Sequence, residues 1–248
     1  MPNRKVMDAA AERRRRGHHR AVRDVPRRRK AEVSALIRQL GGPTRAAHDR
    51  AFRLLADMAD AVTDELLEAL ADPTLDPIAS DEVVSLLGTT GDPRAIEPVW
   101  AFFQAQRNDP ERASTAAICL AGLGDDRVLP YLRESLRTGD PDSVSNAAAA
   151  MIIPRTPLRG VLGQLEDIPL LRVVHRQFKA DTEIRTGIAN AILAILAETD
   201  ETTLEQELDD IQDNLADHDL WDDIWALLEQ SFGAGRYKHY CHRRPHST

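Results

Sequence analysis

Aromatic side chains are scarce in this 248-residue sequence: five Phe, three Tyr and three Trp make up 4% of it. A sheet core, which draws on aromatic and β-branched residues, is disfavoured, and the abundant Ala and Leu suit thin layers of helix on helix. Cysteine is nearly absent too. Cys119 and Cys241 form no Cys-x-x-Cys pair, so neither a disulfide framework nor a zinc module is expected, and a reducing cytoplasm is the default compartment. Long apolar runs are missing as well. Ala147 to Ile153 and Ala191 to Ala197 fall far short of the roughly 20 residues a membrane span requires, and no charged-then-apolar leader opens the sequence. Lysine occurs only at Lys5, Lys30, Lys179 and Lys238, so arginine carries nearly all the positive charge, an excess that genomic composition alone can produce.

The net charge of −8 hides a division along the chain. Residues 1 to 38 hold thirteen Lys/Arg against four Asp/Glu, a net of +9, which leaves −17 for the rest. No Lys or Arg occurs between Arg185 and Arg236, while thirteen acids fall from Glu198 to Glu229. This pattern predicts a basic, unstructured leader over residues 1–30, a folded body over 31–232 and a basic flexible tail over 233–248. The leader and the acidic end attract each other electrostatically, a contact expected to be weak and salt-sensitive.

Repetition is the most specific feature. Gly91-Asp92-Pro93-Arg94-Ala95-Ile96 overlies Gly124-Asp125-Asp126-Arg127-Val128-Leu129 at an offset of 33 residues. At the same offset Ile96, Val99 and Phe103 fall on Leu129, Leu132 and Leu136, a three-then-four spacing that puts each triplet on one helix face. The dipeptides Asp76-Pro77, Asp109-Pro110 and Asp140-Pro141 recur 33 and 31 residues apart, where Asp caps a helix and Pro occupies its first turn. Together these predict an all-α solenoid of about five antiparallel helical hairpins with capping helices at both ends. Gly91 and Gly124 serve as helix stops, and Val33, Leu36, Ile37 and Leu40 form the inner face of an N-terminal capping helix. The register is least defined between Pro154 and Ala180, where Pro154 and Pro157 interrupt the pattern.

The segments Gly91 to Val99 and Gly124 to Leu132, each following a short Leu/Ala-rich helix, resemble the second-helix opening of HEAT-like repeats, including those of phycobilisome lyases. The likeness is clearest over Ser80 to Ile153. It implies an armadillo-like α-solenoid that serves chiefly as a protein-binding scaffold, though some members are enzymes, and it carries over no catalytic residue. In such hairpins the second helices line the concave face, which would place Trp100 and Gln104 from one repeat, and Arg133 and Arg137 from the next, in one row. Trp100 also completes an apolar set with Ile96 and Phe103, whereas Arg133 and Arg137 are expected to be exposed.

No chemistry-bearing motif emerges. There is no His-Glu dipeptide of the kind HEAT-like hydroxylases use, and His48, His175 and His218 read as surface or boundary residues. Phosphate-cradling loops, dinucleotide turns and nucleophile elbows are missing, so no catalytic residue, cofactor or metal is assigned. The tail residues His239, Cys241, His242 and His246 are too irregularly spaced for ordinary chelation. Cys119 reads as a small core residue.

Two binding classes remain. A protein scaffold would meet a basic partner through the second-helix row and an acidic surface of Glu205, Asp209, Asp210, Asp213, Asp222 and Asp223. A nucleic-acid-associated protein would instead grip phosphates through Arg13, Arg14, Arg15, Arg16, Arg27, Arg28, Arg29 and Lys30, without aromatic stacking, because no Phe, Tyr or Trp precedes Phe52. A HEAT-like lyase or glycosylase is a more distant third, since a body of net −17 has the wrong sign for a nucleic-acid channel.

Overall fold

A computed structural model describes residues 29–58, 61–153 and 160–230. All described regular structure is helical: α1 (29–40), α2 (Arg45–Asp57), α3 (Thr63–Leu70), α4 (Pro77–Thr90), α5 (Ile96–Ala105), α6 (Pro110–Gly122), α7 (Leu129–Thr138), α8 (Pro141–Ile152), α9 (Ile168–Gln177), α10 (Thr182–Ala197), α11 (Glu201–Asp213) and α12 (His218–Gln230). The chain divides into two compact units, the first ending at Thr90 and the second beginning at Gly91.

Local chemistry sets most boundaries. Asp109 and Asp140 cap α6 and α8, their carboxylates accepting the backbone N–H of Arg112 and Ser143, and Pro follows each at the first helical position. Asp76 does the same for α4, its Oδ1 accepting from the backbone of Ile78 and Ala79. Gly124 turns the chain out of α6 at φ +78°, a left-handed conformation that costs glycine little. Four second helices open with a 3₁₀ turn, at Pro93–Ala95, Asp126–Val128, Leu165–Asp167 and Leu215–Asp217.

In the first unit α4 packs against α2 and α3. Val33, Ile37 and Leu40 on α1 are buried as their spacing predicts, and Leu36 is half-buried. The second unit has two rows. One row runs α6, α8, α10, each packed on the next; the other runs α7, α9, α12, with α7 against α8 and α9 against α10 joining them. Stacking hairpins in two rows is the build of an α-solenoid. Leu129, Leu132 and Leu136 of α7 are all buried, as are Val99 and Phe103 of α5, while Ile96 is half-buried, so the equivalent stripes face the stack apart from that first position. Cys119 lies in the core of α6, and burial pushes its thiol up to about 12.

Where the register was least defined, the chain leaves α8 and returns over it. The backbone N–H groups of Leu162 and Gly163 both donate to the Met151 carbonyl, at 3.0 and 2.9 Å, and Leu162 is fully buried. A Cβ at Gly163 would sit 2.7 Å from Ile195 Cδ1, so this crossing passes close over α10 as well. Residues 154–159, which include both interrupting prolines, lie outside the described residues.

Candidate interaction surface

On the second-helix row, the structure separates the residues expected there. Gln104 and Arg137 are exposed, Arg137 with only a loose pair to Glu134 at 3.6 Å. Trp100 is half-buried, stacked on Phe103 at 5.3 Å between ring centroids, with the Arg127 guanidinium 4.6 Å from its ring centre. Its ring is therefore largely occupied within the fold. Arg127 is itself held by Asp125, at 2.9 and 2.7 Å, and by Glu97 of α5 at 2.8 Å.

Arg133 corrects the expectation of an exposed side chain. Its Nε donates to Asp167 Oδ1 at 2.6 Å, and Asp167 is only 2% exposed. Arg133 also donates to Gln164 Oε1 at 3.1 Å, while Asp167 Oδ2 accepts the Gln164 backbone N–H at 2.9 Å. A carboxylate buried in the 3₁₀ turn before α9 needs a cation, and the preceding repeat supplies it.

The same arrangement recurs one repeat on. Arg172 stands on α9 where Arg133 stands on α7, each four residues after the helix start. Its Nε donates to Asp217 Oδ2 at 2.9 Å and its Nη1 to Asp210 Oδ2 at 2.6 Å, while Arg176 Nη1 reaches the other oxygen of Asp217 at 2.6 Å. Asp217 is fully buried in the 3₁₀ turn before α12. Burial disfavours the charge on Arg172, but its bonds to Asp210 and Asp217 outweigh this and raise its pKa. The arginines of one repeat thus latch onto a buried aspartate of the next.

A second cluster lies behind the first. His175, expected at the surface, is 1% exposed, and its Nε2–H donates to Asp223 Oδ2 at 2.7 Å. Arg185 of α10 grips both oxygens of Asp223, at 2.9 and 2.8 Å. Burial raises the cost of ionising Asp223, yet the bonds from His175 and Arg185 prevail and hold its carboxyl below the usual range. Two members of the expected acidic surface therefore pair within the chain, Asp223 half-buried and Asp210 still exposed.

What remains of that surface is ordered along α11. Glu201, Glu205, Asp209 and Asp213 follow at four-residue intervals, which stacks them on one helix face. Glu201, Glu205 and Asp213 are exposed, with Asp209 half-buried. Asp222 of α12 is half-buried. From Thr186 to Gly235 the sequence contains no Lys or Arg.

Of the basic leader, residues 1–28 lie outside the described residues, including Arg13 to Arg16, Arg27 and Arg28, and so do tail residues 233–248. Arg29 and Lys30 belong to helix α1. Arg29 donates to the Ala61 carbonyl at 3.0 Å, and Lys30 Nζ lies 2.6 Å from a Glu68 carboxylate oxygen.

Neither Asp167 nor Asp217 was singled out from the sequence, because aspartate reads as surface wherever hydropathy is the guide. A signal was present in the common placement of Arg133 and Arg172 after Pro130 and Pro169. Among the described residues no group of three or more His, Cys, Asp or Glu could hold a metal ion, and no helix is long and apolar enough to cross a membrane.

Curated proteins offer no match to this chain. A family model described as HEAT repeats matches residues 63–153, from the start of α3 to the end of α8, the stretch that holds the 33-residue repetition and the Asp-Pro caps. Residues 63–153 carry HEAT-like repeats.

Proposed function

We propose that this protein is a non-catalytic scaffold whose acidic C-terminal helices engage a basic protein partner. HEAT repeats generally serve as protein-interaction scaffolds, which sets the class. The observation that carries the finer reading is the stripe Glu201, Glu205, Asp209, Asp213. Like charges four residues apart on a helix destabilise it by roughly 0.2 to 0.5 kcal/mol per pair, a penalty that a cationic partner would relieve. The ion pairs around Arg133, Arg172 and Arg185 have another role, joining Asp167, Asp217 and Asp223 to neighbouring helices. Gln104 and Arg137 remain on the second-helix row as an exposed polar margin, and a shallow cavity of ≈ 310 Å³ beside Arg137 is bounded by Gln164, Glu166 and Leu170.

The test is affinity capture of a co-purifying partner with three forms of the protein: the full chain, a chain lacking residues 1–28, and the variant Glu201→Gln/Glu205→Gln/Asp213→Asn. The scaffold reading expects the partner to persist without residues 1–28 and to be lost from the triple variant. Capture of nucleic acid that disappears with residues 1–28 would favour the leader instead.

A further inference from the structure

The first unit contains a groove of ≈ 480 Å³ between α1, α3 and the start of α4. Its floor is apolar: Ile37 and Ala79 are buried, with Ala69 and Leu75 half-buried beside them. Its rim is acidic. Glu65 and Glu68 come from α3, and Asp72 and Asp76 from the turn into α4, against a single lining cation, Arg38. Asp72 is kept ionised by Thr74, whose hydroxyl and backbone N–H both donate to its Oδ1 and hold its carboxyl below the usual range.

Such a groove suits arginine in both of its halves. The methylene stem covers apolar surface while the planar guanidinium stays with carboxylates at the edge. The chain brings a supply of arginine to this place. Residues 1–28 carry ten Lys/Arg against three Asp/Glu and end where α1 begins. The next two cations, which open α1, are already engaged on α3 and just before it, Lys30 on the groove-lining Glu68 and Arg29 on the Ala61 carbonyl. Reach is ample: Arg16 is thirteen residues before Arg29, up to about 40 Å when extended. The distance from Lys30 to Arg38 along α1 is about 12 Å.

We propose that this groove is the docking site of the chain's own leader, with side chains from Arg13 to Arg16 lying over Ile37 and Leu75 and paired with Glu65, Glu68 and Asp72. Docking there would withhold the leader's arginines from outside anions until a competing cation or added salt releases them. The inference concerns the first unit and stands independently of the acidic stripe on α11.

Limited trypsin digestion of the full chain tests it, with cleavage after Arg13 to Arg16 followed by mass spectrometry and normalised to a free peptide of residues 1–28. Docking predicts that the leader in the folded chain is cut at least about tenfold more slowly than the free peptide. That protection should fall several-fold in Glu65→Gln/Glu68→Gln, and again at about 1 M salt, where the Debye length shrinks to about 3 Å. Glu201→Gln should leave it unchanged. Cutting within residues 29–230 monitors the fold, and Glu65→Gln alone, expected to give an intermediate rate, replaces the double variant if that unfolds. Equal cutting of the leader in parent, variants and free peptide would overturn the proposal. Protection that grows with protein concentration would overturn it too, by placing the leader in the groove of a second copy.

Discussion

Asp167 and Asp217 are carboxylates withdrawn from water in 3₁₀ turns, and each is tolerated because a neighbouring helix delivers a guanidinium. Removing one partner of such a pair weakens the hold on the other, so Asp217→Ala, which leaves Arg172 with Asp210 alone and takes the carboxylate from Arg176, should cost about 1 to 3 kcal/mol in chemical denaturation. Arg133→Ala leaves Asp167 with only its local backbone bond and should cost about 1 to 3 kcal/mol. Arg137→Ala, one turn further along α7, should stay within about 0.5 kcal/mol of the parent. Equal melting of these two arginine variants would contradict the latch. Titration adds a second check. The Asp223 carboxyl is held below its ordinary value, so its contribution is present above about pH 3.9 and fades as pH falls through the lower folded value. His48 has the opposite sign: bonds to Asp49 and Glu82 raise its pKa, so its contribution is full below about pH 6.5 and is lost as pH rises through the raised value. An NMR titration of the His48 ring should show a midpoint above that of a free histidine.

At the scale of elements, periodicity and capping carried most of the information. The openings of α4, α6 and α8, the turn after α6 and the inner faces of α1, α5 and α7 were legible, because Asp-Pro openings, glycine stops and three-then-four apolar spacing all report local geometry that a helix needs wherever it sits. Leu132 shows the consequence: it is 2% exposed in the stack, and Leu132→Ala should cost about 2 to 5 kcal/mol. Asp140→Ala removes the α8 cap and should cost about 1 kcal/mol. The candidate surface was less legible, since partners at long range decide which charges are free. Arg133 and Arg137 look alike in sequence, and only the position of Asp167, 34 residues away, makes one a latch and leaves the other exposed. Likewise Asp210 and Asp223 read as unpaired acids until Arg172 and Arg185 are placed beside them, although Asp210 stays exposed. The stripe on α11 was readable in principle from its four-residue spacing.

For the whole molecule, charge is sorted by role. Arginines within the second unit join successive repeats, while the sequence after Arg185 is acidic, with no Lys or Arg until Arg236. The proposed scaffold reading asks for no catalytic group, only for a repeat stack and an acidic surface that a basic partner can meet. The most direct measurement of that claim is fluorescence anisotropy of a labelled lysine-rich peptide titrated with the full chain and with Glu201→Gln/Glu205→Gln/Asp213→Asn, at physiological and at high salt. The account predicts salt-sensitive binding to the full chain and a loss of at least about tenfold in affinity, some 1.4 kcal/mol, in the variant. Equal affinity of the two proteins for the peptide, with both still folded, would contradict it.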